Sequence, residues 1–111
     1  MIRLVTRGRV TRDYVKGFLA APEDREAAVH KLIEGAGGKV LNFYFTTGDS
    51  DFLLICEADD AESIIGAMMA TVAAGAISHV TTSRAWTGAE FKAIAEKGSK
   101  AQSLYRAPGK S

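Results

Sequence analysis

Two aspartates one residue apart, Asp49 and Asp51, flank Ser50 in the stretch TTGDSDFLLIC, directly ahead of an apolar run. Carboxylates at that spacing serve to hold a metal, to exchange protons or to turn a chain. Calcium or magnesium needs about six oxygen ligands, and no further acidic loop follows, so the pair predicts no metal site. Glycine adopts positive φ without steric cost, and Asp and Ser side chains bond their own backbone in tight turns. The stretch therefore predicts a hairpin. Gly48 and Asp51 serve its geometry, while Asp49 and Ser50 stand exposed, free to meet a ligand at the mouth of a cavity.

The other chemistry-bearing groups are few. His30, His79 and Cys56 have spacings that fit no zinc pattern. A single cysteine forms no intrachain disulfide and predicts a reducing, cytoplasmic setting. His30 falls beside the apolar stripe of a helix. His79 falls in a strand with Ile77 and Thr81 on its face, where it is either a hydrogen-bonded structural residue or a group titrating near neutrality. Asn42 and Tyr44 share one strand face, and Arg84 and Trp86 share another, each pair polar and aromatic. Their structural reading is edge packing with a buried tryptophan. Arg3, Arg7 and Arg9 form a one-sided row, and residues 49–62 carry six acids without Lys or Arg. Pairing of the first and third strands would set Arg3, Arg7 or Arg9 against Glu57. No dinucleotide fingerprint, phosphate loop or nucleophile elbow occurs, so no cofactor is expected. The run GAGG at Gly35–Gly38 follows a helix and precedes a strand, the reverse of a phosphate loop, and reads as a helix stop.

Periodicity supplies the elements that position these groups. IRLVTRGRV alternates as a strand. TRDYVKGFLAAPEDREAAVHKLIEGAGG reads as helix in two pieces with a break at Ala20–Pro22, Pro22 suiting a first helical turn. KVLNFYFT and DFLLICEA read as strands with apolar residues on both faces, Leu41, Phe43 and Phe45 opposing Val40 and Tyr44 in the first. One face is covered by the chain's own helices, and a second subunit is the simplest cover for the other. Asp59-Asp60-Ala61-Glu62 resembles a capping box opening a helix that Gly75 ends. AISHVTTSRAW is a fourth strand. Thr87-Gly88-Ala89-Glu90 is a second capping box, opening a short helix that ends at Gly98. Residues 99–111 form a basic tail, either mobile or docked on a neighbour through Leu104 and Tyr105.

Composition bounds the function. The chain has 111 residues, 47% hydrophobic and 24% charged, with a net charge of +1, which suits one globular domain. Near-zero charge argues against nucleic acid and against an anionic membrane surface. Ile64–Ile77 is too short to span a bilayer, and the arginine-rich first residues leave no apolar core for a signal peptide.

With the chain so divided, PEDREAAVHKLIEGAGGKVLNFYFTTGDSDFLLICEADDAES, continued through AAGAISHVTTSRAWTGAEF, resembles the GYD family of small bacterial domains. Gly48 and Asp51 match the signature glycine and aspartate. Ser50 stands where the family commonly has tyrosine, so no role of that ring carries over. The family is similar to dimeric α+β barrel domains, and the pattern recurs in effector-binding domains of the leucine-responsive regulator family. The resemblance implies a fold and self-association and names no reaction.

The expected fold is α+β, ferredoxin-like βαββαβ, with a four-stranded antiparallel sheet, helices on one face and a short C-terminal helix. Residues 1–98 form the domain and 99–111 the tail. The expected function is a homo-oligomeric module that binds a small molecule, or regulates through one, with Tyr44, Asp49, Ser50, His79, Arg84 and Trp86 as candidate ligand contacts and no catalytic residue assigned. The alternatives are a cofactor-independent, monooxygenase-like enzyme using Tyr44, Asp49, Arg84 and Trp86, by analogy of fold, and a structural assembly subunit.

Overall fold

Strand β1 (Ile2–Val10) is flanked on both sides, by β3 (Phe52–Ala58) and by β4 (Ile77–Ala85), and β2 (Lys39–Phe45) completes the sheet beyond β3. All pairs are antiparallel in the order β2-β3-β1-β4. The computed structural model describes residues 1–110; Ser111, the last residue of the predicted tail, lies outside them. Helices α1 (Arg12–Ala20) and α2 (Glu26–Gly35) link β1 to β2, and α3 (Ala61–Ala73) links β3 to β4. This is the ferredoxin-like βαββαβ arrangement. Helix α4 (Gly88–Ala101) and a 3-10 turn (Gln102–Leu104) follow.

The core lies between the sheet and helices α2 and α3. Leu4, Leu54, Cys56 and Ala58 point to it from β1 and β3, and Ile33, Ile64 and Met68 meet them from α2 and α3. Thr6 is fully buried among them, and its hydroxyl lies 3.0 Å from that of Thr82 across the β1–β4 ladder. The pairing satisfies a hydroxyl that would otherwise cost energy in an apolar setting.

The opposite, open face of the sheet is mixed. Val5 pairs with Ile55, and Arg7 with Leu53, giving a half-buried apolar strip rimmed by cations and hydroxyls. Arg3 pairs with Glu57, its guanidinium 3.8 Å from the carboxylate and 3.3 Å from Glu90. The expected arginine–Glu57 contact therefore falls to Arg3.

Two irregularities shift residues between faces. In β2 the register slips between Val40 and Asn42, so Val40, Phe43 and Phe45 share the helix side with Cys56, Leu54 and Phe52. Leu41 is the extra residue, and Lys39, Asn42 and Tyr44 take the open face. Strict alternation, which grouped Leu41 with Phe43 and Phe45 against Val40, fails because a bulge adds one residue to one strand only. In β4 the slip lies opposite Arg7–Arg9. His79 there has φ of 53°, in the left-handed region, and is exposed. It is not in a regular alternation with Ile77 and Thr81.

The helix signals divide in the same way. Thr87 and Glu90 form the predicted capping box. The α3 cap is Asp60, whose carboxylate accepts from the Ser63 N–H at 2.8 Å, one residue after the position the box pattern assigned. Pro22 lies outside both helices. Asp24 accepts from the Glu26 N–H at 2.9 Å, and α2 starts there. Helix α4 runs through Gly98 to Ala101, since an exposed glycine costs only about 1 kcal/mol in a helix.

The β2–β3 hairpin joins β1 where the ladder ends. The Asp51 N–H donates to the Gly8 carbonyl at 2.7 Å, and its carboxylate accepts from the Val10 N–H at 3.0 Å. The Thr46 hydroxyl donates to the Ser50 carbonyl at 2.7 Å, and Gly48 turns at φ of 97°. A charged acceptor bonded to a part-buried N–H contributes about 1.5–3 kcal/mol. Asp51→Ala is expected to cost about that much in urea unfolding, whereas Asp49→Ala, at an exposed position without such a bond, changes stability by less than about 0.5 kcal/mol. The reverse order would remove Asp51 from its structural role. At the β4 bulge, His79→Gly is expected to hold or raise the urea midpoint, because a left-handed L-residue carries roughly 1–2 kcal/mol of strain. His79→Val, β-branched, is expected to lower it. A tolerated valine would show that the positive φ is not enforced.

Candidate functional site

The six residues singled out from sequence occupy separate parts of the sheet. Tyr44 is on the open face of edge strand β2, and its hydroxyl accepts from Asn42 Nδ2 at 3.3 Å. Asp49 is exposed in the hairpin and Ser50 half-buried beside it. His79 sits on the other edge strand, with Nδ1 3.0 Å from the Ser78 hydroxyl. Arg84 pairs with Leu4 and so lies on the helix side, its guanidinium 5.3 Å from the centre of the Trp86 ring. Trp86 is 41% exposed, not buried, and lies 6.0 Å from Phe91. Strands β2 and β4 are three spacings apart, about 14 Å. Arg84 and Trp86 meet each other, and the six do not converge on one site.

A cavity does form on the helix side. Its origin is the weak seating of α1. Thr11 caps this helix, accepting from the Tyr14 N–H at 3.2 Å, and the Thr11 N–H donates to the Ala76 carbonyl at 3.0 Å, tying the first turn to the α3–β4 connection. Beyond that turn α1 buries no residue, and Leu19 is 73% exposed. The helix touches the sheet through rings: Tyr14 and Phe18 lie 6.4 and 6.2 Å from Phe45, which is 5.1 Å from Phe43. Edge-to-face rings at such distances hold position without filling the space beneath them.

That space has a volume of about 120 Å³. Val29 and Leu32 of α2, Phe43 of β2, Phe52 and Leu54 of β3 and Met68 of α3 wall it, and Tyr14 and Arg25 stand at its edge. The Thr71 hydroxyl on its wall is already engaged, donating to the Ala67 carbonyl at 2.8 Å. The interior thus offers contact to carbon and no free polar partner. Two open depressions of about 220 Å³ adjoin it around Tyr14. One is apolar, between Val15, Phe18, Leu19 and Phe45. The other carries Asp13, Glu23 and Arg25.

Arg25 is held at the rim by two neighbours. It pairs with Glu23, and its guanidinium lies 5.9 Å over the Tyr14 ring. The bond to Glu23, then that to Tyr14, raises its pKa further above the ordinary value, so it stays charged. Among the described residues, the titratable side chains that line the cavity are Tyr14 and Arg25, both at its edge. Cys56, in the core, has its pKa raised by burial and stays a thiol. At the foot of α4, the Thr87 backbone N–H, then the Thr87 hydroxyl, holds Glu90 below the usual carboxylate range.

The residues around this cavity, Tyr14 and Arg25 foremost, were not among the candidate contacts. One signal was present in the sequence. The break before Pro22 releases residues 21–25 from helix and lets Arg25 fold over Tyr14.

Comparison with curated proteins gives no match. A solved structure described as the crystal structure of FFRP-DM1 is similar over 78% of this chain and 100% of its own, at 16% identity and a TM-score of 0.45. At that level the likeness says nothing about ligand or activity. The GYD domain family matches residues 4–95, from β1 into α4, a span that includes the Gly48–Asp51 hairpin. The chain therefore belongs to the GYD domain family.

Proposed function

We propose that this protein is a homo-oligomeric binding module that takes a small apolar molecule into the cavity beneath α1. The observation that carries this reading is the 120 Å³ cavity walled by carbon, left open by a helix that buries none of its own residues. The space opens to solvent on one side, and its carbon lining favours a ring or a short branched chain. The mixed charges at the rim, Asp13, Glu23 and Arg25, suit a polar end that is neutral or zwitterionic. No group on the walls is set to transfer a proton, which favours a binder over an enzyme.

Self-association enters the same reading through the open face. Val5, Leu53 and Ile55 are half-buried in the single chain, and two such strips back to back would bury each other. Arg7, Tyr44, Thr81 and Ser83 around them supply hydrogen bonds at the rim. The oligomer is a proposal on a different surface from the cavity, so each stands or falls separately.

Thermal unfolding with benzene, toluene and benzyl alcohol tests the cavity. Ligand at 100 times its Kd adds about 2.7 kcal/mol, which raises Tm by roughly 10–20 °C in a domain of this size. Ala28→Phe, which places a ring in the cavity, is expected to fold and to lose that rise. No shift with any of the three at millimolar concentration, or an undiminished shift in Ala28→Phe, would end the proposal.

A further inference from the structure

Helix α4 is the longest helix and lacks a seat on the body. None of its residues is buried, and its 14 residues project about 21 Å, making the molecule 65 Å long but only 30 by 22 Å across. Its ties to the body are confined to its first turn: the Thr87–Glu90 capping box, the Arg3–Glu90 contact at 3.3 Å and the Trp86–Phe91 ring pair. Yet its sequence is that of a packing helix. Phe91, Ile94, Ala95 and Gly98 recur at i, i+3, i+4 and i+7, one apolar side, and Leu104 and Tyr105 extend it.

The body has a matching vacancy. Edge strand β4 is not covered to its rim, and between it and α3 runs an apolar groove of about 470 Å³ lined by Ile65, Met69, Val72, Val80 and Thr82. Ile65, Met69 and Val72 are 45, 67 and 45% exposed. Charge distinguishes the two surfaces, although Arg84 stands on the helix side of β4 two residues beyond Thr82. After Glu90 the arm carries Lys92, Lys97, Lys100, Arg106 and Lys110 against the single acid Glu96. From residue 40 to residue 83 there is no Lys or Arg, while Asp59, Asp60 and Glu62 stand at the start of α3.

We infer that α4 is an exchanged arm, its apolar side seated in the α3–β4 groove of a second copy of this chain. The first-turn ties aim the arm away from its own body, which leaves another molecule's groove within reach. Two chains that exchange arms bury both grooves, a closed arrangement that needs no further partner. This contact lies on the helix side of the sheet, on a different face from the open-face association, and shares Met68 with the wall of the ligand cavity.

Disulfide trapping tests the inference. Cys56 is fully buried and does not compete. Met69→Cys and Ile94→Cys are prepared separately, mixed and oxidised, with Val72→Cys and Phe91→Cys as a second pair. A disulfide-linked dimer, seen on a non-reducing gel from the mixtures and not from either variant alone, is expected from at least one pair. It should persist when Leu53→Lys is added to disrupt the open face. Removal of residues 88–111 should halve any mass that survives Leu53→Lys. If folded double variants at high dilution trap only within one chain, the arm folds back on its own body and the inference fails. It fails equally if folded mixtures of both pairs trap nothing.

Discussion

The carboxylate of Asp51 takes the place of a strand that has run out. β1 continues to Val10, but its partner β3 begins only at Phe52, so the Val10 N–H on that side has no ladder partner. Asp51 accepts from it at 3.0 Å and donates its own N–H to Gly8 at 2.7 Å. The junction is tight. A Cβ on Gly8 would come within 2.9 Å of the Phe52 ring and 3.1 Å of the Ser78 carbonyl. Phe52 and Val10, the residues fixed on either side of this junction, are both part of the cavity wall. The Gly48–Asp51 hairpin thus fixes two residues of the cavity wall.

The cavity then follows from a division of labour among the helices. Helices α2 and α3 press Ile33, Ile64 and Met68 into the sheet and close the core. Helix α1 is anchored at Thr11 and leans on a ring cluster at the edge, where Phe45 remains 48% exposed. Rings that meet at angles near 80°, as Phe18 and Phe45 do, keep their separation and leave room beneath. The space is thus a property of how α1 is held.

Much of this architecture was legible in the sequence. The order of elements, the hairpin at Gly48–Asp51, the capping box at Thr87 and the Arg3–Glu57 pairing all arise from local patterns or from the topology they imply. The bulges at Leu41 and His79 were not legible, because one added residue changes the face of everything beyond it while leaving the hydrophobic pattern intact. The β4 bulge is why Arg84, expected to share a site with Tyr44, lies on the helix side, and the strand order places it at the opposite edge. The cavity was also hidden. Tyr14 and Phe18 announce an apolar helix side, but whether such a side fills a space or bridges it depends on contacts with Phe45 that sequence spacing does not encode. Family membership, by contrast, was legible as a pattern over most of the chain, and the match extends over residues 4–95.

The central claim is that a carbon-lined space persists beneath α1 because the Asp51 junction and the ring cluster hold its walls apart. Xenon binds in cavities lined by Leu, Ile and Phe. A crystal of the protein under xenon pressure measures this directly. The account predicts a xenon atom among Leu32, Phe52, Leu54 and Met68. A structure with α1 settled onto the sheet and no xenon between these residues would contradict it.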